Sequence, residues 1–151
     1  MARAVARWAL AVFLIAAGVG HLVVPGEFLA QVPPWLPGWL PDAETIVLLS
    51  GLAEIALGVA LALLARHRVL VGWLVAALFV VVFPGNVSQA VTGTDAFGLD
   101  SPTARWVRLA FQPLLIVWAL WSTEAWRSLR SARRYRHRPS RGPGDGRPPD
   151  R

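Results

Sequence analysis

Long apolar runs alternate with short breaks that are polar or rich in proline. The first run, WALAVFLIAAGVGHLVV, follows Arg3 and Arg7 and ends at Pro25. The second, IVLLSGLAEIALGVALALLA, ends at Arg66-His67-Arg68. The third, VLVGWLVAALFVVVFPGNVSQAV, carries Pro84-Gly85 near its far end, and the fourth begins ARWVRLAFQPLLIVWALW. About twenty apolar residues at helical rise span a hydrocarbon core of about 30 Å. The pattern predicts transmembrane helices over residues 4–24, 46–65, 69–91 and 104–121: an all-α membrane protein built as a four-helix transmembrane bundle. A cleaved signal peptide shares the charged start and apolar run of the first segment. That run is long for such a signal, however, and Pro25-Gly26-Glu27 makes a poor cleavage site, so a first span is expected.

The breaks add topology. Residues 26–43, GEFLAQVPPWLPGWLPDA, hold four prolines that forbid a continuous helix. Trp35, Leu36, Trp39 and Leu40 give this loop an apolar side suited to the headgroup level of a membrane. Its charges, Glu27 and Asp42, are acidic, as are Asp95 and Asp100 in the loop after the third run. Arginines instead flank the first helix, the 66–68 turn and the end of the fourth helix. The positive-inside rule then puts both termini and that turn in the cytoplasm. Arg105 and Arg108 fall on the other side and call for an explanation. Residues 127–151, rich in Arg, Pro and Gly, are expected to form a disordered basic tail that meets anionic lipid rather than nucleic acid.

Composition narrows the chemistry. Of 151 residues, 55% are hydrophobic, too many for an ordinary soluble domain of this size. Eight tryptophans fit interfacial belts. The absence of cysteine excludes thiolate catalysis, Cys-ligated zinc and iron–sulfur clusters within this chain. The net charge of +6 is all arginine, and most of it lies in the last quarter.

The polar residues inside the runs are the candidate site. A carboxylate in the middle of a span costs roughly 2.5–3.5 kcal/mol, so Glu54 should face protein or water and have a partner. Ser50, Gly51, Glu54 and Gly58 share one helical face, and the glycines there admit a close neighbouring helix. His21, Glu54, Asn86, Arg108 and Gln112 fall at similar depth on four different helices. They predict a polar pocket in the outer half of the bundle, roofed by the Pro/Trp loop. Glu54–Arg108 is the expected central ion pair, completed by His21 and Gln112. The same pair would serve equally as an interhelical clamp. Asn86 and Gln89 would satisfy carbonyls freed by a kink at Pro84. With no second histidine in the pocket and no H-x-x-E-H spacing, no metal site is expected.

Five strings carry a family resemblance: A-G-V-G-H-L-x-x-P-x-x-F at 17–28, V-P-P-W-L-P at 32–37, S-G-L-A-E-I-x-L-G at 50–58, F-P-G-N-V at 83–87 and R-L-A-F-Q-P-L-L-I-x-W at 108–118. In this order and spacing they resemble the DoxX-like family of small bacterial membrane proteins. Ala110 stands where that pattern often has proline, and Gly85 where it often has alanine. The resemblance implies a DoxX-type bundle in the inner (plasma) membrane. In that wider group some members are linked to quinone-coupled sulfur oxidation and others to complexes handling oxidative stress. The expectation is thus an accessory subunit of a membrane redox complex, binding a quinone or another small ligand, with no covalently held cofactor and with a redox protein as partner. A non-enzymatic scaffold or assembly factor is the rival reading. A small transporter ranks lowest, because four helices without an inverted repeat are few for alternating access.

Overall fold

The computed structural model describes residues 1–98 and 101–128, and these are helical with no strand. The elements are α1 (Ala2–Val23), the short α2 (Pro25–Leu29), α3 (Ala43–Leu63), α4 (Arg68–Thr92) and α5 (Pro102–Ser122); one 3-10 turn, Ala65–His67, joins α3 to α4. Three helical stretches, Ala2–Val23, Ala43–Leu63 and Ala65–Thr92, are long and apolar enough to cross a membrane. The fourth, α5, has 21 residues but carries Arg105, Arg108 and Gln112 in its first half.

Caps explain why helices begin earlier than hydropathy alone predicts. Asp42 caps α3, accepting from the Thr45 backbone N–H at 2.9 Å and from the Thr45 hydroxyl at 2.9 Å. These bonds, the backbone one foremost, hold the Asp42 carboxyl below its ordinary value. Ser101 caps α5 through the Ala104 N–H at 3.2 Å, with Pro102 in the first turn where its missing N–H costs nothing. Gly93, at φ +71°, ends α4 in the left-handed region. The loop expected over 26–43 contains one extra helical turn, because Pro25 opens α2 and the following prolines stop it. Pro84 lies inside α4, which continues to Thr92 rather than ending at a break.

The helices form two antiparallel pairs. In the first, α1 and α3 touch backbone to backbone. A Cβ on Gly18 would stand 2.5 Å from the Gly51 carbonyl oxygen, and one on Gly58 would stand 2.9 Å from the Ala11 carbonyl oxygen. This is the close approach that the glycine face of α3 predicts. In the second pair, Gly72 near the start of α4 receives Thr123 at the end of α5. Between the pairs, Leu10, Leu14, Leu61, Val71, Val75 and Phe79 pack into a dry core toward the end of the bundle that holds Arg3 and Glu124. Outward faces stay apolar: Val12, Leu49, Leu74, Val81 and Leu114 are all exposed, as lipid-facing helices require.

The end of the bundle where α1 begins and α5 ends is tied by one carboxylate. Glu124 accepts from Arg3 of α1 at 2.7 Å, from Arg68 of α4 at 2.6 Å and from Arg127 at 3.3 Å. Arg68 and then Arg3 hold its carboxyl below the ordinary glutamate value. Thus Arg3, Arg68 and Arg127 share one end, as their common sign predicts. Tryptophans ring the ends of the helices: Trp8, Trp35, Trp39, Trp106, Trp121 and Trp126 are exposed. Trp118 departs from the belt pattern, donating its indole N–H to the Ala6 carbonyl at 3.0 Å. The basic tail expected from residue 127 lies, beyond Ser128, outside the described residues.

Candidate functional site

Above the dry core the two helix pairs diverge, and polar side chains replace leucine and valine. They surround a cavity of about 620 Å³. His21 (α1), Glu54 (α3), Asn86 (α4), Arg108 and Gln112 (α5) all line it, joined by Gln31 from the segment after α2 and by Ser50 of α3. Phe13, Val47, Phe79 and Phe111 make apolar walls, and Pro33, Trp35, Leu36 and Leu40 form the roof. Trp35, Val81 and Phe111 line the cavity yet are more than half exposed, so it opens at the roof and at the side of the bundle.

The five residues share the cavity but pair differently from expectation. Glu54 and Arg108 form no ion pair. Arg108 donates to Gln31 Oε1 at 2.6 Å and to Gln89 Oε1 at 3.0 Å, and its guanidinium lies 4.9 Å from the centre of the Phe97 ring. The physical reason is reach. Arg108 sits nearly two turns into α5, and its long stem lets the fork reach two amide oxygens and an aromatic face contributed by α4 and the loops. Arg105, the other arginine at this end, turns instead to Asp95 at 2.6 Å. Both arginines are therefore accounted for within the protein.

Glu54 lies deeper, where Gly51 brings α1 close. Its Oε2 is 3.3 Å from His21 Nδ1 but lacks the alignment of a hydrogen bond, and it accepts from no described residue. His21 Nδ1 is 3.0 Å from the Ala17 carbonyl. A carbonyl only accepts, so Nδ1 carries the hydrogen. The imidazole stacks on Phe28 with centroids 3.6 Å apart, and Phe28 meets Phe97 edge-on at 4.8 Å. A continuous aromatic stack thus links His21 to the ring under Arg108.

Phe97 is held in the left-handed region at φ 56°, which a side chain adopts only under constraint. The constraint is Glu27 of α2, whose carboxylate accepts the Phe97 N–H. Gln31 is anchored by its own amide, which donates to the Glu27 carbonyl at 3.0 Å. So α2, a helix that hydropathy gives no reason to expect, positions two of the three neighbours of Arg108, Gln31 and Phe97.

A second polar group joins α4 to α5. Asn86 Nδ2 donates to Gln112 Oε1, and Gln112 Nε2 donates to the Phe79 carbonyl at 2.7 Å. The expectation that Asn86 and Gln89 cap carbonyls near Pro84 is corrected here. Both face α5, Asn86 toward Gln112 and Gln89 toward Arg108, and Gln112 serves the Phe79 carbonyl, five residues before Pro84, across the interface. Sequence reading missed Gln31, Phe28 and Phe97 as parts of the site. The available signal was Gln31, a lone amide four residues after Glu27 in an otherwise apolar loop.

A search of curated proteins and a search of solved structures each give no match. The family match covers the two helix pairs and the cavity between them: residues 10–123 match a domain of unknown function, DUF8561, and the chain belongs to that family.

Proposed function

We propose that this protein is a four-helix plasma-membrane protein, with both termini cytoplasmic, that holds a small amphipathic, quinone-like molecule in the cavity between its helix pairs. On this reading it acts as an accessory subunit of a membrane redox complex rather than as an enzyme alone. One observation carries the ligand-binding part: a mostly apolar cavity of about 620 Å³, open toward the bundle's flank and furnished with a few polar groups from α1, α3, α4 and α5. Small-molecule sites are typically concave, mostly apolar and furnished with a few placed polar groups. The resemblance of residues 17–118 to DoxX-like sequences motivates the redox part.

The reading of α5 as a fourth span rests on length and pairing. Twenty-one residues reach ~31 Å, and its polar side chains find partners on α4 and in the loops. The topology rests on the arginines gathered at the Glu124 end, which the positive-inside rule assigns to the cytoplasm. The rival scaffold reading, in which the Pro/Trp loop or the basic tail docks a partner, keeps that basis; only the Glu54–Arg108 clamp it also drew on is not formed.

The experiment is mass spectrometry of the protein gently extracted from its own membrane. A stoichiometric apolar-tailed molecule is expected with the wild type and lost in Ser50→Phe, which fills the cavity from α3. Equal retention of only bulk phospholipid by both proteins would refute ligand binding. A co-purifying oxidoreductase would support the redox partner; only non-redox partners would refute it.

A further inference from the structure

The cavity's hydrogen-bonding groups are not evenly matched, and the imbalance defines the head group that fits. Each of its donor groups already has an acceptor inside the protein, although Arg108 and the amides keep further N–H hydrogens. Arg108 donates to Gln31 and Gln89. Asn86 donates to Gln112, and Gln112 donates to the Phe79 carbonyl. The Ser50 hydroxyl donates to the Ile46 carbonyl at 2.8 Å. The Glu54 carboxyl is the exception. It lines the cavity, its side chain is only 10% exposed, and it accepts no hydrogen bond from any described residue. His21 Nδ1 lies 3.3 Å away, but its one hydrogen goes to the Ala17 carbonyl, so the carboxyl receives no aligned hydrogen bond from it. A buried polar group left without a partner is costly, so the arrangement favours a ligand that supplies what is missing.

We infer that the cavity selects apolar-tailed molecules whose head presents a hydroxyl donor to Glu54, in preference to isosteric heads that can only accept. This deepens the ligand-binding reading and rests on it. For a redox-active ring it means that the hydroxylated, reduced form is the one held, and the carbonyl form the one released.

The test uses a matched pair of probes, 4-nonylphenol and its methyl ether 4-nonylanisole, titrated into the purified full-length protein in detergent and followed by tryptophan fluorescence. Trp35 in the roof is the reporter. Wild type should bind the phenol up to about tenfold more tightly than the ether, as one net hydrogen bond supplies. Glu54→Leu should bring that ratio to near one by weakening the phenol alone. Glu54→Gln, which keeps the shape and one acceptor, should fall between them and covers the case in which Glu54→Leu does not fold. A wild-type ratio near one, or in favour of the ether, overturns the donor inference while leaving a ligand cavity in place. Binding of neither probe overturns both readings.

Discussion

The tightest contact in the bundle gives the most direct test of its architecture. Replacing Gly18 by alanine places a Cβ 2.5 Å from the Gly51 carbonyl oxygen, 2.7 Å from Ile55 Cγ1 and 3.0 Å from the Ile55 nitrogen. Two of these are backbone atoms, so no side-chain rotation relieves the clash. Restoring ordinary contact near 3.5 Å asks α1 and α3 to separate by about 1 Å. Overpacking on this scale typically costs about 1–3 kcal/mol. The better helix propensity of alanine returns at most ~1 kcal/mol. The expected net loss is about 1–2 kcal/mol, read as a lower midpoint of SDS-induced unfolding in mixed micelles. Gly51→Ala, whose Cβ meets His21 Cβ at 2.6 Å, should cost a similar amount. The double variant should cost less than the sum, because the helices need to separate only once. Gly26→Ala, with nothing within 4 Å, is the control and should leave the midpoint within the scatter of surface changes. A Gly18→Ala protein as stable as wild type, or strictly additive losses, would refute the close approach.

Other outcomes follow from the polar contacts. Arg108→Lys keeps the charge but cannot bridge Gln31 and Gln89 at once. Losing one charged hydrogen bond should lower stability by ~2 kcal/mol, read as a fall in thermal midpoint. Gln112→Leu leaves Asn86 Nδ2 and the Phe79 carbonyl without their partner, so a loss of about 1–3 kcal/mol is expected in the same assay, and none would count against the α4–α5 polar contact. Glu124 has a folded-state value below the ordinary 4.5, so its contribution is present above that value and is lost as pH falls through the lower, folded one. The acid limb of unfolding should therefore be shallower in Glu124→Gln than in wild type; superimposable limbs would argue against the arginine cluster.

Much of the fold is legible in the sequence for simple reasons. The three spans of α1, α3 and α4 announce themselves by length and hydropathy. Gly51 and Gly58 mark the face of α3 that meets α1, because seven residues is close to two helical turns. The depth of His21, Glu54, Asn86, Arg108 and Gln112 follows from their places along their helices, so their gathering around one cavity is readable. The pairing within that group is not. Spacing fixes which residues share a face, but it does not fix which neighbour the face turns toward. Arg108 finds Gln31, 77 positions away and in a loop, because α2 folds that loop back over the cavity. A five-residue helix set between prolines leaves no periodicity to read. The strained Phe97 is equally silent, since its conformation is imposed by Glu27 rather than by its neighbours in sequence.

The Glu124 clamp also has a consequence in time. The chain is made from its first residue onward, so Arg3 and Arg68 emerge long before the carboxylate that will neutralise them. On the proposed topology, that end would carry their positive charge uncompensated by Glu124 throughout the interval in which the positive-inside rule acts. Only after α5 is complete does Glu124 arrive to draw α1, α4 and its own segment together. On that topology, one late acidic residue would let the same arginines act first as topological charges and then, with Glu124, as the latch seen in the folded bundle.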